Sequence, residues 1–264
     1  MLSVVIITWN ALRDVTACMD SVLEATGHSP VEIIVVDNGS TDGTVEILRN
    51  YGARIHFVQL EKNYGVAYAR NVALRAVKGD FVWILDVDTV VNREAIDGMM
   101  TYLMNNPDCG LCTCRLQSEN GDVQDSCRRL PYPVHKIRNV LTGFLHKTGL
   151  FGTLRSEIET RNEKQFYRKE LAEAKPFEVE YVIGACQLFR KTMLEEVGYL
   201  DEKIFYGPED ADFCLRIHRK GYKIVCLPKY YIIHHYNRIS HKKMFSRLAF
   251  LHLKGLVYFY WKHL

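Results

Sequence analysis

The feature that most constrains the fold is a short apolar run at residues 83–85, which ends in two aspartates one residue apart. Such a run is typical of a strand buried on both faces in a parallel sheet. In open α/β sheets, ligands bind just beyond the carboxyl ends of these strands. Because side chains two residues apart share a face, Asp86 and Asp88 are expected to point toward one ligand. Two carboxylates there suit Mg²⁺ or Mn²⁺ bound to phosphates, the alternative being a solvated turn.

Strands and helices alternate along the first half of the chain, which predicts an α/β fold with a mixed, mostly parallel sheet flanked by helices. Asn10 is expected to cap the first helix. The predicted strands cover residues 2–8, 31–36, 55–60 and the run that ends at 86, and the predicted helices cover 10–26, 43–50, 65–77, 94–105, 191–197 and 208–220.

The length of 264 residues and the absence of repeats favour one domain over residues 1–240. Weak periodicity and frequent charges predict an irregular excursion of loops and short helices over residues 117–176, above the carboxyl edge of the sheet. The net charge of +3 is too small to indicate a nucleic-acid partner. We find no signal peptide and no apolar run near the roughly 18 residues that cross a membrane, which predicts a cytoplasmic location.

The eight cysteines are expected to be thiols in such a location. Three of them, Cys109, Cys112 and Cys114, resemble half of a zinc site. No second pair follows, so a core strand is the preferred interpretation.

Residues 241–264 combine basic and aromatic side chains, which suits a helix lying in a membrane interface. A terminal helix packed on the core is the alternative. The segment therefore predicts either a peripheral membrane contact, on the inner face of the plasma membrane, or a structural helix.

Four motifs follow the predicted strands in a specific order, and a fifth lies in the second half of the chain. They resemble the signature series of family 2 glycosyltransferases, which are inverting, nucleotide-sugar-dependent enzymes of the GT-A fold. The motifs are Thr8-Trp9-Asn10, Asp37-Asn38-Gly39-Ser40-Thr41-Asp42-Gly43, Asn63-Tyr64-Gly65 with Arg70, Asp86-Val87-Asp88, and Pro208-Glu209-Asp210-Ala211-Asp212.

The resemblance implies a donor site at the first three motifs. Asp37 would accept a hydrogen bond from the N3–H of a uracil or thymine ring. Thr8 and Asn10 would line the same base and ribose pocket. Arg70 would lie near the base or the diphosphate, with a surface ion pair as the alternative.

The resemblance also implies a divalent metal, Mg²⁺ or Mn²⁺, that bridges the donor diphosphate. Asp86 would approach the ribose and Asp88 would ligate the metal. A histidine near the end of the domain would complete the site, and both His234 and His235 are candidates on opposite faces of one strand. The family's glycine-rich sequence after this histidine is replaced here by residues 236–240, so Arg238 or the tail lysines are alternative phosphate contacts.

The motif at residues 208–212 implies the catalytic base. Asp210 would take the proton of the acceptor hydroxyl, and Glu209 would orient the acceptor or complement the helix dipole. Because Pro208 suits the first helical position, we expect both carboxylates in the first turn, where the positive helix end keeps them ionised.

Two further features flank this motif. Asp212 and Arg216 are spaced for an ion pair along one helix face. Gly184 and Ala185 resemble the family's small-residue strand on the acceptor side, where small side chains would let the sugar approach the backbone.

The sequence therefore predicts transfer of a sugar from a UDP- or dTDP-sugar to a hydroxyl of a glycan or lipid-linked acceptor. The motifs look most like the rhamnosyltransferase-like branch, which makes dTDP-rhamnose a plausible donor. A sugar-phosphate nucleotidyltransferase is a rival, but it would carry a glycine-rich loop where this chain has residues 8–12. A non-catalytic nucleotide-sugar-binding module is the other rival, and the four aspartates at 37, 86, 88 and 210 argue against it.

Overall fold

A computed structural model describes residues 1–27, 30–131, 165–235 and 247–263. Its strands are β1 (Leu2–Thr8), β2 (Val31–Asp37), β3 (His56–Gln59), β4 (Phe81–Asp86), β5 (Thr89–Val90), β6 (Cys109–Gln117), β7 (Cys127–Arg128), β8 (Phe177–Glu178), β9 (Tyr181–Val182), β10 (Cys186–Arg190) and β11 (Lys223–His234). Its helices are α1 (Val15–Thr26), α2 (Thr44–Asn50), α3 (Val66–Leu74), α4 (Arg93–Asn105), α5 (Arg168–Ala172), α6 (Thr192–Val197), α7 (Glu209–Arg219) and α8 (Arg247–His263), with a 3-10 turn at Gly52–Arg54.

The main sheet is mixed and has the strand order β3-β2-β1-β4-β10-β6-β11-β5, with β8 paired to β11. The first four strands in this order are parallel, as predicted. Beyond them β10 runs antiparallel to both β4 and β6, and β11 runs parallel to β6. As a result β4, β6 and β11 point the same way, and their carboxyl ends reach the same edge of the sheet.

Side chains of the central strands alternate between two hydrophobic clusters, one on each face of the sheet. Ile6 and Trp83 belong to the cluster that contains Met19 of α1 and Met99 of α4. The other cluster holds the alternate strand residues, with Ala69 of α3, Phe213 of α7 and their neighbours. Helices therefore cover both faces, and the polar strand ends lie beyond the two cores.

Two helix boundaries differ from the prediction by more than one residue. The first helix begins at Val15, because Asn10 has a left-handed backbone (φ 50°) and does not cap it. The Asn10 side chain instead accepts a hydrogen bond from the backbone N–H of Thr41 at 2.8 Å, which ties the loop after β1 to the loop after β2. The third helix ends at Leu74, three residues earlier than expected.

The cysteine-rich segment is the core strand β6, which confirms the preferred interpretation of the sequence over half of a zinc site. All eight cysteines are buried free thiols. Cys114 and Cys186 are neighbours across β6 and β10, with their sulfur atoms 3.8 Å apart.

The predicted excursion over residues 117–176 contains β7 and α5, and its residues 132–164 lie outside the described ranges. The predicted tail helix is α8, one face of which packs on the core through Leu256 and Phe259. Residues 236–246, with Arg238 and two of the tail lysines, are also outside the described ranges. Among the described residues, we find no helix that combines the length and the apolar character needed to span a membrane.

Candidate functional site

The polar strand ends meet at one edge of the sheet. Thr8 is paired with Asp37 across β1 and β2, and Ile7 is paired with Asp86 across β1 and β4. His234 ends β11, whose direction brings it to the same edge. Most of the residues that the sequence predicts for a donor site therefore converge because their strands are neighbours or run in the same direction.

Asp86, Asp88 and His234 form a cluster whose potential ligand atoms all lie within 4.8 Å of one another. The His234 ring is buried, and its Nε2 lies 3.3 Å from Asp88 Oδ1. Burial lowers the pKa of His234, but its hydrogen bond to Asp88 and the negative charges of Asp88 and Asp86 together outweigh this effect, so the pKa lies above that of ordinary histidine. Two carboxylates and an imidazole are a fitting donor set for Mn²⁺, and the carboxylates also suit Mg²⁺.

Gln124 orients the His234 ring, and the sequence offered no signal for this residue. The Gln124 amide nitrogen donates to the backbone carbonyl of His234 at 2.7 Å, so its amide oxygen faces Nδ1 at 2.6 Å. An amide oxygen only accepts hydrogen bonds, so Nδ1 must donate. Nε2 is then the nitrogen that faces the aspartates, an arrangement typical of metal-binding histidines.

We expect Gln124→Leu to weaken Mn²⁺ binding by about 10–100-fold, because Nδ1 loses the acceptor that holds the ring. Calorimetric titration of the metal measures this directly. Gln59→Leu is the matched control, because Gln59 ends β3 and contacts Arg49 rather than the cluster. Equal Mn²⁺ affinity in the Gln124 and Gln59 variants would contradict the assigned role.

His235 does not join the cluster, although it was predicted as an alternative ligand. Consecutive strand residues face opposite sides, and its ring lies 3.4 Å from Asp14 and 3.0 Å from Glu119. Its backbone N–H donates to the carbonyl of Asp88 at 2.7 Å. Of the two histidines, only His234 faces the aspartates.

Asp37 is fully buried and receives several protein hydrogen bonds. Thr8 Oγ1 donates to Oδ1 at 2.8 Å, and the Ser40 hydroxyl donates to the same oxygen. The backbone N–H groups of Gly39 and Ser40 donate to Oδ2 at 3.1 and 2.9 Å. This carboxylate therefore holds the β2–α2 turn in shape, and its predicted contact with a base would share an acceptor that is already occupied.

Arg70 is buried, so the alternative of a surface ion pair is wrong. Its Nη2 donates to Asp86 Oδ1 at 2.6 Å and to the Gly184 carbonyl at 3.0 Å, and its Nη1 lies 3.3 Å from Glu209 Oε1. One guanidinium thus joins the end of β4 to the start of α7. The Nε of Arg70 and the Oε2 of Glu209 are also buried, and the described residues give neither of them a hydrogen-bond partner.

Gly184 and Ala185 lie in the turn between β9 and β10, not on a strand as expected. A Cβ atom at position 184 would overlap the guanidinium of Arg70. The small residue therefore makes room for the Arg70 guanidinium. Ala185 is buried, and its carbonyl accepts from the backbone N–H of Asp86 at 3.3 Å.

Glu209 and Asp210 lie in the first turn of α7, as predicted, but their pKa values are raised and are not held low by the positive helix end, contrary to the expectation from the sequence. Burial raises the pKa of Glu209 to about 7, and the charge of Asp210 adds to the effect. Burial likewise raises the pKa of Asp210, because a hydrogen bond from Ala211 and the positive charge of Arg128 oppose it only in part. Desolvation exceeds the helix-end effect here.

Asp212 is structural. Its fully buried carboxylate accepts from Arg216 Nε at 2.9 Å, which confirms the predicted ion pair, and from Lys262 Nζ at 2.6 Å. His263 adds a contact at 2.7 Å. Asp212 therefore anchors α8 to α7.

Arg128 is a second residue that the sequence analysis missed. It ends the short strand β7, and its charge lowers the pKa of both Asp210 and Tyr181. The segment around it has weak periodicity, so no sequence pattern connects residue 128 with residue 210.

Residues 3–198 match the family model described as glycosyl transferase family 2. Residues 168–242 match a model described as the N-terminal domain of galactosyltransferase. The chain is similar to N-acetylglucosaminyl-diphospho-decaprenol L-rhamnosyltransferase of Mycobacterium tuberculosis, with 26% identity over 275 aligned positions that cover 100% of this chain and 85% of the relative. It is also similar to the putative teichuronic acid biosynthesis glycosyltransferase TuaG of Bacillus subtilis, with 37% identity over 107 residues, or 39% of this chain and 42% of TuaG.

Two solved structures share the fold. The mannosyltransferase PcManGT from Pyrobaculum calidifontis, solved with GDP-Man and Mn²⁺, has a TM-score of 0.61 at 19% identity. The alignment covers 91% of this chain and 58% of the PcManGT chain. S. aureus TarS 1-349, solved with UDP-GlcNAc, has a TM-score of 0.58 at 19% identity. The alignment covers 95% of this chain and 64% of the TarS chain. This chain thus spans less than two thirds of either solved chain.

Proposed function

Because the chain belongs to glycosyl transferase family 2 and has the GT-A fold, we propose that it moves a sugar from a nucleotide diphosphate to an acceptor hydroxyl with inversion. The observation that carries this proposal is the contact of Arg70 with both Asp86 and Glu209. Asp210 directly follows Glu209 in the chain. The Arg70 side chain therefore links the cluster at the end of β4 to the residue beside Asp210.

Donor binding would use the edge formed by β1, β2 and β4. Thr8, Asn10 and Asp37 would border the base and the ribose, and Arg70 would hold Asp86 in position. Asp86, Asp88 and His234 would hold Mg²⁺ or Mn²⁺, which when bound neutralises charge on the leaving diphosphate.

Asp210 would act as the general base. The acceptor oxygen attacks the anomeric carbon from the face opposite the nucleotide, and its proton passes to the Asp210 carboxylate. The bond between the anomeric carbon and the diphosphate oxygen breaks, and its electron pair leaves with the diphosphate. A single displacement of this kind inverts the anomeric centre and needs no covalent intermediate on the protein. The raised pKa of Asp210 supports the role, because a base is most effective when its pKa approaches the working pH.

We propose a UDP- or dTDP-sugar as the donor, with dTDP-rhamnose as the first to be tested. The rhamnosyltransferase of M. tuberculosis supports this choice, since it aligns with the whole of this chain. The name of that relative also supports a lipid-linked acceptor. We further propose a role in cell-surface polysaccharide synthesis, at the cytoplasmic face of the membrane. UDP-GlcNAc and GDP-Man in the two solved neighbours indicate which other nucleotides belong in the test.

The deciding experiment measures release of nucleoside diphosphate from UDP-, dTDP- and GDP-sugars, with a lipid-linked glycan acceptor and Mn²⁺. We expect turnover with one nucleotide class and a loss of at least about 100-fold when EDTA removes the metal, because the leaving diphosphate loses its counter-charge. Asp88→Asn should reproduce the effect of EDTA. Asp80→Asn is the control, because Asp80 is exposed and pairs with the amino terminus. Tight nucleotide binding without turnover of any donor would instead support the non-catalytic binding module.

A further inference from the structure

The helix α8 has two faces of different character. Leu256 and Phe259 are buried against the core. On the opposite face, four large apolar side chains are mostly exposed, and we define them as the apolar stripe: Phe250 at 67%, Leu253 at 58%, Val257 at 60% and Trp261 at 79%. Single exposed apolar residues are ordinary, but a continuous row of them marks an interaction surface.

The spacing of the stripe is that of one helix face. Its members are separated by three or four residues, and at 3.6 residues per turn they fall within an arc of roughly 80°. The exposed Arg247 and Lys254 lie at one side of this arc. The surface of α8 thus presents an apolar row with a basic border.

The charge distribution of the chain identifies the partner. The sequence of α8 contains Arg247, Lys254 and Lys262 and no Asp or Glu, so the helix itself presents positive and no negative side chains. A second copy of this chain would bring a like-charged border to the stripe. An anionic bilayer offers both an apolar layer and negative headgroups, which is the environment that a basic amphipathic helix prefers.

We propose that the apolar stripe inserts into the headgroup region of an anionic lipid bilayer, with α8 parallel to the membrane surface. Insertion leaves the packed face of α8 undisturbed. That face touches the segment leading into α7, since a Cβ at Gly255 would lie 2.5 Å from the Gly207 carbonyl oxygen. The bilayer would therefore lie one helix diameter, roughly 10 Å, from the segment leading into α7. This last consequence rests on the proposed function, because it would bring a lipid-linked acceptor toward Asp210.

The test is co-sedimentation of the full chain with vesicles of phosphatidylcholine, either alone or mixed with phosphatidylglycerol. We expect binding to the mixed vesicles that weakens as salt is raised, and little binding to phosphatidylcholine alone. The double variant Leu253→Ser/Trp261→Ser should bind the mixed vesicles at least about tenfold more weakly, because two inserting side chains are lost. The matched control is Met104→Ser/Val123→Ser, which removes two exposed apolar side chains elsewhere.

Equal thermal midpoints for the two double variants would show that the stripe variant is folded. Absence of vesicle binding by the unaltered chain would overturn the proposal, as would equal binding by the stripe variant. A dimer of the unaltered chain that the stripe variant converts to a monomer, with no vesicle binding, would assign the stripe to self-association instead. The assay uses no sugar nucleotide, so its failure leaves the transferase proposal intact, and turnover of a soluble acceptor should be unchanged in the stripe variant.

Discussion

Asp210→Asn is expected to lower kcat for sugar transfer by about 10²–10⁴-fold, while nucleotide affinity stays within a few-fold of the original value. The amide cannot take a proton from the acceptor hydroxyl. It keeps the shape of the carboxylate, which already accepts a hydrogen bond from the backbone N–H of Ala211. Single-turnover transfer and calorimetric titration with nucleoside diphosphate separate the two effects.

The matched control is Asp108→Asn, because Asp108 immediately precedes β6 at the opposite edge of the sheet and pairs with Lys223. Its transfer rate should match that of the unaltered chain. Loss of nucleotide binding in a folded Asp210 variant would move this residue to the donor site and contradict the assignment as base.

The pH profile of transfer supplies a second readout of the same assignment. Burial raises the pKa of Asp210, and Glu209 beside it has a pKa of about 7. A general base works only when ionised, so kcat should fall as the pH drops through the raised pKa. We expect this acid limb nearer to neutrality than the pKa of a free aspartate.

Arg70→Met is expected to destabilise the fold by about 3–5 kcal/mol, which is the usual cost of removing one partner of a buried ion pair. Glu209 would lose its contact with Nη1 of Arg70, which is its only ion pair among the described residues. Asp86 would lose its 2.6 Å hydrogen bond from Nη2 of Arg70. Chemical denaturation measures the free energy of unfolding. Sugar transfer should fall as well, because Asp86 and the start of α7 lose their common anchor.

The destabilisation of the Arg70 variant should depend on pH. Arg70 lowers the pKa of Glu209, so its removal raises that pKa above the present value of about 7. When the pKa of a carboxyl group is higher in the folded state than in the unfolded state, the protein loses stability as the pH rises above the unfolded-state pKa. The variant should therefore be less destabilised at acidic pH than at alkaline pH. Adding Glu209→Gln should recover part of the loss, which a double-mutant cycle quantifies.

Arg75→Met is the control for this experiment, because Arg75 lies five residues further along and pairs with Glu202 at the surface. Exposed pairs contribute about 0–1 kcal/mol. Equal loss of stability in the Arg70 and Arg75 variants would show that the buried ion pairs of Arg70 contribute no more to the free energy of unfolding than the exposed pair of Arg75.

The strand ends were predictable because they depend on short-range patterns. An apolar run marks a buried strand, and the first polar residues after it must lie near its carboxyl end. This reasoning located Asp37 and the pair Asp86 and Asp88 before any pairing of strands was known. The start of α7 was equally local, since two acidic residues after a proline are typical of a first helical turn, although Pro208 is the N-cap and the helix begins one residue later, at Glu209.

The fine geometry of the site was not predictable in the same way. Whether His234 or His235 faces the aspartates depends on the register of β11, which pairs with strands far away in the chain. Gln124 acquires its role only because the loop after β6 passes beside the end of β11. Neither contact leaves a pattern in nearby residues.

By itself, the sequence determined the α/β class, the order of the motifs and the residue types available for metal binding and proton transfer, because these depend on local periodicity and side-chain chemistry. Only the tertiary structure decided that Arg70 is buried between two carboxylates, that Gly184 leaves the space for its guanidinium, and that Asp210 has a raised pKa. Those properties depend on burial and on contacts across more than 100 residues, as between Arg70 and Glu209, and long-range packing alone sets both.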